Sequence, residues 1–232
     1  MIYATLGLGL AFLIAFLVKA KDKRSVAGVF LKNATSIFFI LTAVVGLFMN
    51  PTQYKYAILI IAGLVFGMLG DIYLDQKWVY PDDMKQYLYA GFISFGIGHF
   101  FYIPAIIMAS GLPSKFWFIP PIVGIVVGGG NLILEKPMKQ KFGEYKAIVT
   151  IYGFVLASMA ATAVCAAVFT KSPAFIVYAI GAVSFMLSDL ILSPMYFGEG
   201  KNTPANFILN HVTYYIGQYL FAVSIILLPA LA

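Results

Sequence analysis

Two aspartates lie inside long apolar segments of the sequence and are its clearest candidates for chemistry. Asp71 lies in segment 68–74 and Asp189 in segment 186–192, and the two segments align at an offset of 118 residues. A carboxylate inside an apolar helix is costly unless it faces a polar interior, which makes it a functional-site candidate. A pair of such groups suits general acid and base catalysis, or the coupling of proton movement to transport.

The composition indicates the class of protein in which these carboxylates lie. The chain has 232 residues, of which 62% are hydrophobic and 10% charged, and its mean hydropathy is +0.93. Soluble domains carry about 25% charged residues, so the composition excludes a soluble globular enzyme and an intrinsically disordered chain. The sequence therefore predicts an all-α, polytopic membrane protein.

Eight apolar runs are long enough to cross a bilayer, which requires about 20 residues per helix. We treat the whole chain, 1–232, as one transmembrane domain, in which a short linker predicts a helical hairpin between the sixth and seventh spans. The predicted spans are 2–20, 29–48, 56–75, 88–110, 117–134, 145–170, 173–193 and 207–229.

The distribution of basic residues predicts the orientation, because basic loops stay in the cytoplasm. Three lysines, Lys55, Lys115 and Lys171, fall on one side of the predicted membrane, and both termini are expected on that outer side. The net charge of +6 is then explained by topology and anionic lipid, without a nucleic-acid partner. The residues predicted on the cytoplasmic side are Lys19, Lys21, Lys23, Arg24, Lys32, Lys77, Lys85, Lys136, Lys139, Lys141, Lys146 and Lys201.

Internal similarity predicts a four-plus-four duplication. Besides the two aspartate segments, residues 97–100 (Ile-Gly-His-Phe) match residues 216–219 (Ile-Gly-Gln-Tyr) at an offset of 119. Each half has four spans, an even number, so both halves enter the membrane from the same side as parallel repeats. The pseudo-repeats are about 1–115 and 116–232, and they bring the two aspartates to equal depth.

Further polar residues are expected near the aspartates. On the last helix, His211, Tyr214 or Tyr215, and Gln218 share one face at helical spacing, and His99 and Tyr102 share a face of the fourth helix. With Ser188 and Asn131, they predict a polar cavity open to the cytoplasmic leaflet. The alternative for each is a hydrogen bond that joins helices without taking part in chemistry.

Two other kinds of site fit the spacing less well. The two histidines, His99 and His211, lie on different helices at different predicted depths, and no His-x-x-x-His or His-x-x-Glu pair is present, so we predict no metal. A Ser-His-Asp triad lacks its nucleophile-elbow pattern. We predict no cofactor.

Four motifs follow one another along the chain, namely Gly70-Asp71, His99 with Tyr102, Ser188-Asp189, and Tyr214-Tyr215 with Gln218. In this order they resemble the YhhN-like lysoplasmalogenase family along essentially the whole chain. Ser193 and Gly217 stand where the family pattern has alanine. The resemblance implies hydrolysis of the vinyl-ether bond of lysoplasmalogens to a fatty aldehyde and glycerophosphoethanolamine or glycerophosphocholine.

Two carboxyl groups suffice for this chemistry: one protonates the vinyl ether, and its ionised partner stabilises the resulting oxocarbenium ion and orients the water that captures it. Asp71 and Asp189 are the predicted acid and base, in an order that the sequence leaves open. The other site residues would position water or the carboxyls, and His211 with nearby lysines would meet the phosphate. The predicted partners are a lysophospholipid and membrane lipids.

A proton-coupled carrier of small solutes or lipids is the competing function, because paired intramembrane aspartates and parallel repeats also occur in transporters. Paths from the cavity to both membrane faces would favour the carrier. The short loops predict a bacterial cytoplasmic membrane, with the site toward the cytoplasm.

Overall fold

The computed structural model describes residues 1–20 and 25–229, which form eight long α-helices and no β-strand. Lys21, Lys23 and Arg24, which the charge argument uses, lie outside the described residues. The helices are α1 Ile2–Ala20, α2 Val26–Met49, α3 Tyr54–Val79, α4 Met84–Ser110, α5 Ile119–Leu134, α6 Lys146–Thr170, α7 Pro173–Phe197 and α8 Pro204–Leu227.

The all-α prediction is confirmed, and each predicted span corresponds to one helix. Seven helices, α1 to α7, are long and apolar enough to cross a membrane. Helix α8 has 24 residues but carries more polar side chains, and those of Asn210, His211 and Gln218 are buried against the other helices. These three polar residues therefore face the protein interior.

The helix ends follow from local sequence. Pro173 and Pro204 begin α7 and α8, where the missing N–H of proline costs no helical hydrogen bond. Helix α6 ends at Thr170 and Lys171 adopts a positive φ of 53°, so the chain reverses within two residues. This reversal produces the predicted hairpin between α6 and α7.

Both halves of the chain use the same close helix contact. A Cβ atom added at Gly98 of α4 would lie 2.9 Å from the carbonyl oxygen of Gly63 in α3. One added at Gly217 of α8 would lie 2.9 Å from the carbonyl oxygen of Gly181 in α7. Helix α2 also packs on α8 as α4 packs on α6. These pairs support the duplication, which stays a prediction, as does the placement of both termini outside.

Apolar side chains cover much of the outer surface of the bundle. Helices α1 and α5 lie at its periphery, because only 17% of an 18-residue apolar stretch in each is buried. Val18, Ile125 and Val126 are among their exposed residues. Most of the buried polar residues lie on α2, α3, α4, α6, α7 and α8. This distribution is that of a membrane protein with a polar interior.

Candidate functional site: a cavity lined by carboxylates

A cavity of about 380 Å³ lies among helices α2 to α8, and both sequence-predicted catalytic aspartates line it. Asp71 reaches it from α3 and Asp189 from α7. Four of the predicted positioning residues also line the cavity, namely Asn131, Ser188, His211 and Tyr214.

Asp71 is buried in an ion pair with a lysine. Its Oδ1 atom lies 3.2 Å from Nζ of Lys32, and the Asp71 side chain is only 4% exposed. Its Oδ2 atom accepts hydrogen bonds from the hydroxyls of Tyr214, at 2.7 Å, and Ser36, at 2.8 Å. The carboxylate therefore has one cation and two hydroxyl donors around it.

Lys32 joins two carboxylates on one face of α3. Its Nζ atom also lies 3.1 Å from Oδ1 of Asp75, one helical turn beyond Asp71. The backbone carbonyl of Lys32 accepts a hydrogen bond from the hydroxyl of Tyr215 at 3.1 Å, which ties α2 to α8. A buried charge of this kind persists only when it is paired and hydrogen-bonded, and Lys32 meets both conditions.

Asp189 has different partners. The hydroxyl of Tyr152, on α6, donates a short hydrogen bond to its Oδ2 atom, and Oγ of Ser188 lies 3.4 Å from its Oδ1 atom. Between the described residues, no lysine, arginine or histidine lies within ion-pair distance of Asp189. The two carboxyl groups therefore share one cavity but not one electrostatic environment.

His99 lies one side chain away from Asp189. Its Nε2 atom is 3.4 Å from the hydroxyl of Tyr152, so His99, Tyr152 and Asp189 form a chain. The ring packs edge-on against Phe185, with 4.8 Å between centroids, and Nδ1 has no hydrogen-bond partner among the described residues. His99 does not line the cavity.

Gln218 lies one side chain away from Asp71, and Tyr102 contacts Gln218. Nε2 of Gln218 donates to the hydroxyl of Tyr214 at 2.9 Å, and the hydroxyl of Tyr102 donates to Oε1 of Gln218 at 3.4 Å. Gly67 allows this approach, because a Cβ atom there would lie 2.6 Å from Nε2 of Gln218. These residues hold Tyr214 in place from outside the cavity.

The other predicted positioning residues have structural contacts of their own. Nδ1 of His211 donates to the carbonyl of Phe207 at 2.8 Å, and the hydroxyl of Tyr215 lies 3.2 Å from Oγ of Ser36. Asn131 packs against α6, where a Cβ atom at Gly153 would lie 2.6 Å from its Nδ2 atom. Tyr215 is buried and does not line the cavity.

The sequence analysis missed four residues of the site, each of which contacts an aspartate or its lysine. The four-residue spacing of Asp71 and Asp75 would have indicated a shared helix face. Lys32 lies inside a predicted span, which would have indicated a carboxylate partner. Tyr152 and Ser36 have no pattern around them that indicates their role. The missed residues are Lys32, Ser36, Asp75 and Tyr152.

The segment between α5 and α6 contributes Met138, Gln140 and Phe142 to the lining of the cavity. The ammonium of Lys146 lies 2.7 Å from Oε2 of Glu135, and the backbone N–H of Phe142 donates to Oε1 at 2.9 Å. These two hydrogen bonds, that of Lys146 first, lower the pKa of Glu135 below its ordinary value. Oγ of Ser193 donates to Oε1 of Gln140 at 2.8 Å, which joins this segment to α7.

Apolar helices around a cavity lined by carboxylates define an integral membrane protein with an internal polar site. The family model described as the YhhN family matches residues 27–225, and the chain belongs to that family. The matched range contains all four motifs on which the resemblance rests. No curated protein and no solved structure matches the chain.

Proposed function

We propose that the protein is a membrane hydrolase of the lysoplasmalogenase type, which cleaves the vinyl-ether bond of lysoplasmalogens. The observation that carries the proposal is the placement of Asp71 and Asp189 on one cavity with different partners. Acid and base catalysis needs two groups in different protonation states, and different environments produce that difference. Membership in the YhhN family supports the same activity.

We propose a role for each carboxyl group from its contacts. An ammonium in contact favours the charged form of a carboxylate, which makes Asp71, beside Lys32, the base. Asp189 has only hydroxyl groups as polar partners among the described residues and is the acid. A hydroxyl accepts as well as donates a hydrogen bond, so Tyr152 also suits a protonated Asp189.

The reaction consumes one water molecule and returns both carboxyls to their starting states. Asp189 protonates the vinyl carbon remote from the ether oxygen, which leaves an oxocarbenium ion. Water attacks this ion while Asp71 accepts a proton from the water, and a hemiacetal forms. The hemiacetal hydroxyl then returns its proton to Asp189, the carbon–oxygen bond breaks, and Asp71 protonates the departing glycerol oxygen.

Two phenols hold the carboxyls in position. Tyr214 donates to Asp71 and Tyr152 to Asp189, each from a different helix, so both acids are fixed by packing between helices. Gln218 and His99 in turn contact these phenols from outside the cavity. Because the two carboxyl groups are already held in position, little of their conformational freedom has to be lost before the reaction.

A proton-coupled carrier is the second candidate, and the buried cluster of Lys32, Asp71 and Asp75 favours it, because such clusters also occur in proton pathways. Our proposal includes a bacterial cytoplasmic membrane, with the cavity toward the cytoplasm. Aldehyde release separates the hydrolase from the carrier, since a carrier moves its solute without breaking a bond.

The test is aldehyde release from lysoplasmenylethanolamine by purified protein in lipid vesicles. Asp71→Asn and Asp189→Asn are each expected to lower turnover by about 10²- to 10⁴-fold, the usual contribution of an acid or base. The exposed Asp82→Asn is the matched control and keeps full activity. Thermal unfolding of each variant shows whether it is folded.

Two outcomes contradict the proposal. Folded wild-type protein that releases no aldehyde rules out this reaction and favours the carrier. A folded double variant, Asp71→Asn with Asp189→Asn, that retains wild-type turnover rules out the two acids.

A further inference from the structure

The cavity extends from the carboxylates to the outer surface between α5 and α7. Helix α5 packs on α6, and α6 packs on α7, whereas α5 and α7 make no comparable contact with each other. Val126 of α5 and Leu190 of α7 both line the cavity, although they are 66% and 54% exposed. The cavity therefore opens sideways on the apolar surface of the bundle.

The lining changes from polar to apolar along this path. Asp71 is buried and Asp189 is half-buried, and the side chains that α5 contributes are apolar except for that of Asn131. We call the outer part, lined by Val126, Val127, Gly130 and Leu190, the α5–α7 groove. An apolar groove that begins at a pair of acids suits a molecule with a reactive polar end and one hydrocarbon chain.

Gly130 keeps this groove open. It lines the cavity, and a Cβ atom added at Gly130 would meet no atom within 4 Å. The neighbouring Gly129 also has open space around its added Cβ atom, but it does not line the cavity. A side chain at position 130 would therefore occupy the groove, whereas the same side chain at position 129 would lie outside it.

We propose that the α5–α7 groove binds the single hydrocarbon chain of the substrate and that Gly130 determines the length of chain it accepts. This inference rests on the proposed hydrolase function and identifies where its substrate enters. The vinyl-ether carbons adjoin the hydrocarbon chain, so a chain in the groove directs the reacting carbons toward the carboxylates. The chain enters sideways from the lipid phase.

The experiment compares Gly130→Leu and Gly130→Phe with Gly129→Leu and Gly129→Phe. Each pair makes the same change in adjacent positions of α5, so effects on helix propensity are matched. The kcat/KM for aldehyde release is measured in vesicles with lysoplasmenylethanolamines of short and long chain. Thermal unfolding identifies any variant that fails to fold, and Gly130→Ala, which adds one methyl group, gives a milder change.

Each methylene group that loses its contacts lowers kcat/KM about fourfold. Gly130→Phe is therefore expected to reduce kcat/KM for the long chain at least tenfold more than for the short chain, while Gly129→Phe leaves the ratio unchanged. Equal ratios in folded Gly130→Phe and Gly129→Phe would overturn the inference.

A binding measurement separates this inference from the proposed reaction. A saturated ether analogue that carries the long chain, a 1-O-alkyl lysophosphatidylethanolamine, has no vinyl ether to cleave and raises the Tm of a protein that binds it. We expect it to raise the Tm of wild type and Gly129→Phe and not of Gly130→Phe, even if no variant releases aldehyde. The absence of stabilisation in the wild type, or equal stabilisation of Gly130→Phe, would contradict the groove.

Discussion

Replacement of Lys32 by methionine tests the charge arrangement on which the assignment of acid and base depends. Lys32 is 4% exposed and lies 3.2 Å from Asp71 and 3.1 Å from Asp75. Methionine occupies a similar volume without the charge, so Lys32→Met leaves two carboxylates of like charge on one face of α3. Removal of one partner from a buried ion pair costs about 3–5 kcal/mol.

We therefore expect Lys32→Met to lower the free energy of unfolding by about 3–5 kcal/mol. Lys32→Met with Asp71→Asn removes both charges of the buried pair and is expected to recover part of this loss, because Asp75 is more exposed, at 15% of its side chain. In such a double-mutant cycle, contacting residues show an interaction energy of about 0.5–3 kcal/mol. We expect this energy to stabilise the pair of Lys32 and Asp71, so the double variant loses less stability than the two single variants together.

The assay is reversible unfolding of purified protein in mixed detergent micelles at neutral pH, with Lys55→Met as the control, since Lys55 is exposed. Lys32→Met protein as stable as wild type would refute the charge cluster. A double variant whose loss equals the sum of the two single losses would show that Lys32 and Asp71 do not interact.

Two further predictions follow from contacts near the cavity. Tyr152→Phe removes the hydroxyl that donates to Asp189 when Asp189 gives up its proton. A hydrogen bond to a charged group contributes about 1.5–3 kcal/mol, so kcat is expected to fall about ten- to hundredfold, while the control Tyr178→Phe stays active. The lowered pKa of Glu135 means that its bond to the Phe142 amide is present at neutral pH and is lost as the pH falls through that lowered value. Hydrogen exchange at Phe142 should accelerate in acid, and Glu135→Gln should weaken this dependence; exchange that is equally pH-dependent in both proteins, after correction for the intrinsic rate, would contradict it.

The number and approximate positions of the helices could be predicted, because the length of each apolar run and the positions of proline residues indicate them. Each apolar run is long enough for one helix, and proline residues such as Pro173 mark where a helix begins. The face of α8 that carries His211, Tyr214, Tyr215 and Gln218 could also be predicted, because helical periodicity depends on spacing alone, and all four residues are buried.

Contacts between helices could not be predicted in the same way. Lys32 follows a basic loop in sequence and was grouped with the lysines of the cytoplasmic face, but α2 begins at Val26 and turns this side chain toward α3. Tyr152 is a polar residue in a helix of apolar ones, so its spacing indicates no face. The partner of each is known only once α2 packs on α3 and α6 on α7.

Lys32 and Tyr152 give different partners to two aspartates that lie in similar segments of sequence. At the repeat offset of 118, Lys32 corresponds to Thr150 and Tyr152 corresponds to Ala34, so neither half repeats the other's partner. The segments around Asp71 and Asp189 stay alike, while α2 supplies an ammonium to one carboxyl and α6 a phenol to the other. In the proposed duplication, the difference between the proposed acid and the proposed base comes from the neighbouring helices, without any change in the aspartates themselves.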